Sequence, residues 1–136
     1  MESRAISDRM CQNLQKSTKK KKIPTEKNTM KFYRMTFTID DQSTGEKIAA
    51  ELLERRWIAC SQQSAVLSRY HWKGTLEETP EWKFELKTTL AGREKVADFI
   101  LANHPYEVPE LLCEEADSLN PAYSLWLEEE CAGLNA

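Results

Sequence analysis

The stretch EWKFELKTT, residues 81–89, places Trp82, Phe84, Leu86 and Thr88 on one side of an extended chain and Lys83, Glu85, Lys87 and Thr89 on the other. Such strict alternation suits an antiparallel sheet that buries a single face. A second stretch, KFYRMTFTID at 31–40, repeats the pattern, with Phe32, Arg34, Thr36 and Thr38 opposite Tyr33, Met35, Phe37 and Ile39. Residues 57–72 are long and β-prone in their second half, with a bend or bulge expected at the polar SQQS. Lys73 and Gly74 open a turn, so the second and third strands form an antiparallel hairpin.

Between the strands the period changes to that of a helix. Ile48, Ala49, Leu52 and Leu53 form an apolar stripe through KIAAELLERR, preceded by Asp40 and Asp41 as caps and expected to run to about Arg56. Val96, Phe99 and Ile100 form another in AGREKVADFILAN, which Asn103 ends because the following proline resists helix. Val108, Leu111 and Leu112 read as a fourth strand entered through Pro109. Asn120 then caps a third helix with Pro121 at its first position, Tyr123, Trp126 and Leu127 on its apolar side, and an end near Gly133.

The order βαββαβ plus a terminal helix predicts an α+β fold, a ferredoxin-like sandwich with two helices on one face of a four-stranded antiparallel sheet. The other face stays uncovered. It is expected to carry large groups such as Trp72 or Trp82, and therefore to drive self-association through sheet faces or edges.

Charge divides the chain. Residues 1–30 hold eight Lys or Arg against three Asp or Glu, including the run Lys19 to Lys22, whereas the remaining residues hold eleven against nineteen. The first segment has no sustained apolar period and reads as a disordered basic tail; residues 31–136 read as one folded domain. An acidic body disfavours nucleic acid as main partner, because phosphate binding draws on clustered Lys and Arg. No run approaches the roughly 18 apolar residues that span a bilayer, so no membrane association is expected. No apolar segment marks a secretory signal. Cys11, Cys60, Cys113 and Cys131 lack CxxC spacing, which favours a reducing cytoplasm, with Cys60 and Cys113 read as small buried hydrophobes.

NHPYEVPE, residues 103–110, gathers an imidazole, a phenol, two carboxylates and two prolines. One reading is a rigid connector that stops a helix and aims a strand. The other is a site in which His104 supplies a nitrogen for Cu(II), Zn(II) or Ni(II) and Glu107 or Glu110 adds an oxygen. One such set is a weak site, so two or three copies brought together would complete the shell. His71 ranks below His104, on the side of its strand opposite Tyr70 and Trp72. Lys87, a strand cation beside aromatic residues, is a candidate anchor for an anionic metabolite. No nucleophile motif, HExxH or glycine-rich phosphate loop is present, and the chain is read as a non-enzyme.

The segments ERRWIAC, YHWKGTLEE, KTT, HPYEVPE and NPAYSLWL, spread over residues 54–127 in this order, resemble the CutA divalent-cation tolerance family. The resemblance implies a ferredoxin-like subunit in a tight homotrimer, similar in architecture to the PII signalling proteins, with strands pairing between subunits. It also implies binding of copper or other divalent cations in metal tolerance, with no obligatory cofactor. Bacterial members can carry a thiol near the end of the first strand, where this chain has Phe37. The candidate metal donors are then His104, Glu107 and, where it points into a cleft, Cys60; the candidate intersubunit cleft residues are Lys87, Trp72, Tyr106, Glu110 and Trp126. The alternative is a PII-like signalling or scaffold trimer holding a small anion or a partner segment in its clefts.

Overall fold

The structure, a computed structural model, describes residues 31–135; the expected basic tail at 1–30 lies outside the described residues. The elements follow in the order β1 (Lys31–Ile39), α1 (Gln42–Glu54), β2 (Cys60–Trp72), β3 (Thr75–Thr88), α2 (Arg93–Asn103), β4 (Leu111–Asp117) and α3 (Pro121–Glu130), with short 3-10 turns at Leu90–Gly92 and Ala132–Asn135. The four strands form one sheet in the order β2-β3-β1-β4, every pair antiparallel. This is the α+β arrangement that the alternation and the helical stripes predict.

Burial explains why the strands sit as they do. Met35, Phe37 and Ile39 of β1 and Phe84 and Leu86 of β3 meet Ile48, Ala49 and Leu52 of α1 and Val96 and Ile100 of α2, all buried in one cluster. Removing each such large side chain from water contributes ~1.5–3 kcal/mol. Phe37 and Phe84 stack at 4.9 Å, nearly parallel at 4°. Phe37 is therefore a core ring, and no thiol stands at that point of β1. Helix α1 comes so close to this pair that a Cβ on Gly45 would collide with the Phe84 ring.

A second cluster closes the other end of the sheet. Leu127 of α3 and Cys131 pack on Phe32 and Ala59, with Tyr123 and Trp126 partly buried beside them. The cap expected at Asn120 forms: its Oδ1 accepts from the backbone N–H of Ala122 at 3.1 Å, and Pro121 occupies the first turn.

Four expectations are corrected. SQQS holds no bulge: β2 and β3 keep one register from Cys60 opposite Lys87 to Trp72 opposite Thr75. Trp82 shares the side of Phe84 and packs against the helix-covered core, so the uncovered face is polar, with Arg34 3.8 Å from Glu85 and 3.5 Å from Glu114. Cys113 is exposed, because β4 is an edge strand that the helices leave uncovered there. Helix α1 stops at Glu54 rather than Arg56, and Arg56 turns the chain with φ 56°.

The β2–β3 ribbon is longer than its sheet. Strand β1 pairs with β3 only from Thr88 to Trp82, so the outer part, about Val66–Trp72 with Thr75–Glu81, is a two-stranded arm. Lys73 (φ 50°) and Gly74 (φ 83°) close it, both in the left-handed region that a two-residue hairpin turn requires. Leu67, Tyr70, Trp72 and Leu76 of the arm are exposed.

Candidate functional site: the cleft between arm and corner

The corner after α2 is built on His104. Pro105 cannot continue the helix, and His104 leaves it with an extended backbone (φ −81°, ψ 131°) while its N–H still bonds to the carbonyl of Ile100 at 2.9 Å. Its imidazole turns inward and is buried. Nδ1 accepts the backbone N–H of Tyr106 at 3.1 Å, which leaves Nε2 to carry the proton and donate to the carbonyl of Thr38 at 2.8 Å. The ring also lies edge-on to Phe37 and Tyr106. Both nitrogens are thus spent on backbone groups, and neither offers a lone pair. His104 thus braces the corner in this chain.

Tyr106 is the next link. Its hydroxyl donates to Oε2 of Glu81 at 2.7 Å, joining the corner to the root of the arm. Burial first, and then the carboxylate beside it, push the phenol well above its ordinary value. Glu81 is only 5% exposed. Around this pair, the end of β1, the arm and the corner enclose a cleft of about 650 Å³. Asp40, Glu81, Glu107 and Glu110 supply its carboxylates, Tyr70, Trp72 and Tyr106 its rings, and Thr38, Ser68 and Thr79 its hydroxyls. Arg69 also lines it, but its Nε donates to Glu78 at 2.8 Å.

Of the residues singled out in the sequence, Trp72, Tyr106, Glu110 and Glu107 line this cleft together. Lys87, Trp126 and Cys60 lie at the opposite end of the ribbon. There Lys87 Nζ donates to Gln62 Oε1 at 2.7 Å and lies 3.7 Å from the Cys60 sulfur. Burial raises the Cys60 thiol, with the Lys87 charge opposing it. Trp126 stacks at a tilt on Tyr123, centroids 5.6 Å apart, and burial pushes the Tyr123 phenol up to about 12. Glu107 is exposed and lies 3.6 Å from Lys73.

Among the described residues no three His, Cys, Asp or Glu side chains come together as a metal-binding group. His104, Glu107 and Cys60 therefore do not form one shell within a chain. Sequence reasoning missed Glu81 and Asp40. Glu81 belongs to the charged side of β3 with Lys83 and Glu85, where alternation alone marks it as solvated.

A four-stranded antiparallel sheet carrying two helices on one face, with a hairpin arm overhanging a ligand-sized cleft, defines a ferredoxin-like α+β protein. Residues 33–130 match the family model of the CutA1 divalent ion tolerance protein. The Divalent-cation tolerance protein CutA of Salmonella newport (strain SL254) is 33% identical over 91 residues, covering 66% of this chain and 79% of that protein. Among solved structures, CutA1 from Pyrococcus horikoshii superimposes with a TM-score of 0.69 at 34% identity, over 72% of this chain and 96% of that one. CutA from Xylella fastidiosa does so with a TM-score of 0.70 at 29% identity, over 74% and 97%. The chain belongs to the CutA1 divalent ion tolerance family.

Proposed function

We propose that this protein acts in divalent-cation tolerance as a homotrimer that binds copper or a related cation and catalyses no reaction. The observation that carries the assembly is the arm. A two-stranded ribbon is marginal in water without a third strand or a packed face, and this one exposes Leu67, Tyr70, Trp72 and Leu76. A second copy laid along it supplies both, and three copies follow the subunit arrangement implied by the resemblance.

Cation binding is then a property of the assembly. The exposed Glu107 and Glu110 of one corner, or Cys60 at the ribbon root, offer one or two donors per chain, and neighbouring copies bring such sets together. The free thiols of Cys60, Cys113 and Cys131 favour a reducing, cytoplasmic site of action. Native mass spectrometry of the purified protein with and without Cu(II) tests both parts. Three subunits with bound copper is the expected result; a single subunit, or a trimer that takes up no copper, overturns it.

The cleft favours a second reading, a trimeric sensor of a small ligand. For that reading Lys87 would serve a separate cleft completed by another copy, because it is not among the residues that line this one.

A further inference from the structure

We infer that Glu81 of one copy pairs with Lys83 of the partner subunit, so that an ammonium from a neighbouring copy reaches into each cleft between arm and corner. This pairing rests on the trimer proposed above and deepens it by naming the residue that the neighbour contributes.

A single chain leaves two opposite charges unmatched on one side of β3. Glu81 is almost fully buried, and among the described residues its one hydrogen bond comes from the neutral phenol of Tyr106. No Lys, Arg or His nitrogen of the described residues lies within ion-pair distance of it. Burying a carboxylate without a cation beside it is costly. Lys83 lies two residues further along the strand and on the same side, because Trp82 between them packs against the helix-covered core. It is exposed, and among the described residues its ammonium has neither an ion pair nor a hydrogen bond.

The other cations of this uncovered side are engaged within the chain. Arg34 lies between Glu85 and Glu114, Lys87 donates to Gln62, and Arg69 donates to Glu78. Lys83 is the one left over. Its long, flexible stem can carry the charge across a subunit contact while covering apolar surface on the way. A bare metal ion is a poorer counterion here, since it needs several converging donors and the described residues assemble no such group. In a threefold ring every contact runs head to tail, so each copy gives one Lys83, receives one at Glu81, and three equal pairs close the ring. Such a pair also fixes register, because a misaligned neighbour would seal Glu81 in without its cation.

The test is subunit exchange between unlabelled and isotope-labelled protein, followed by native mass spectrometry, for the native chain, Lys83→Met, Glu81→Gln and the double variant. The glutamine carbonyl still accepts from Tyr106, so the clasp survives, and circular dichroism checks that each variant is folded. Each single variant is expected to exchange at least about tenfold faster than the native trimer, as for truncating one partner of a buried charge pair. The double variant should exchange no faster than the quicker single one, and Lys83→Arg, which keeps the charge, should stay close to native. A native trimer whose exchange is untouched by Lys83→Met, or effects of the two single variants that simply multiply, overturns the pairing and leaves the trimer standing. A native chain that is itself a single subunit overturns both. Lys83 is exposed in the single chain, so its variants decide the matter even where Glu81→Gln does not fold.

Discussion

The hydroxyl of Tyr106 meets the carboxylate of Glu81 at 2.7 Å, and this one bond fastens the corner after α2 to the root of the β2–β3 arm. Removing it strands a buried acid. Tyr106→Phe is expected to cost ~1–3 kcal/mol of stability, the usual penalty for orphaning a buried polar group. Chemical denaturation of the two proteins checks this, and equal midpoints at equal slope would mean that the bond stabilises nothing.

His104→Ala separates the brace from the donor. Two hydrogen bonds and an edge-on ring contact disappear, so stability should fall by ~2–3 kcal/mol, while copper stoichiometry in native mass spectrometry stays unchanged. Loss of copper from a variant that remains folded and assembled would restore the imidazole as a ligand.

The arm should govern assembly and not folding. Leu67 and Leu76 are 50% and 65% exposed in the single chain, and the Leu67→Asp/Leu76→Asp double variant should weaken association at least about tenfold through charge placed in an apolar contact. Sedimentation across a dilution series gives the subunit number, and circular dichroism reports whether the subunit stays folded. An undiminished trimer would place the interface elsewhere.

Alkaline pH should weaken the fold through Cys131. Burial raises this thiol to about 11, so in the folded chain it holds its proton above the pH at which the unfolded thiol loses it. The folded state then binds more protons than the unfolded one between pH ~9 and ~11, and stability falls as pH rises through that window. Cys131→Ala should flatten this slope in urea titrations at successive pH values. The same burial predicts that iodoacetamide labels the exposed Cys113 well before Cys131, which peptide mass mapping would read directly.

Some of this was written plainly in the chain. Strict alternation in β1 and β3, the Lys73–Gly74 turn, the stop at Asn103 and the cap at Asn120 are local signals, each decided by neighbours a few residues away. The cleft is not local. It joins Asp40, Trp72, Glu81 and Tyr106, which nothing in periodicity links, and Glu81 carries the pattern of a solvated strand acid until the corner folds over it. The bracing role of His104 was hidden for a similar reason. An imidazole beside carboxylates looks available until the carbonyl of Thr38, from the far side of the sequence, takes its second nitrogen. Alternation did place Trp82 with Phe84; only the packing of the helices showed that side to be the covered one.

Thirteen residue pairs, from Cys60 with Lys87 out to Trp72 with Thr75, follow one another without a skipped partner, so the ribbon behaves as a measured beam roughly 40 Å long. Deleting one residue from either strand would leave a bulge opposite the cut or invert every side chain beyond it. Deleting a facing pair would instead withdraw the tip by one rung while exchanging its two surfaces. The reach of the arm is thus counted in whole residues from the body outward.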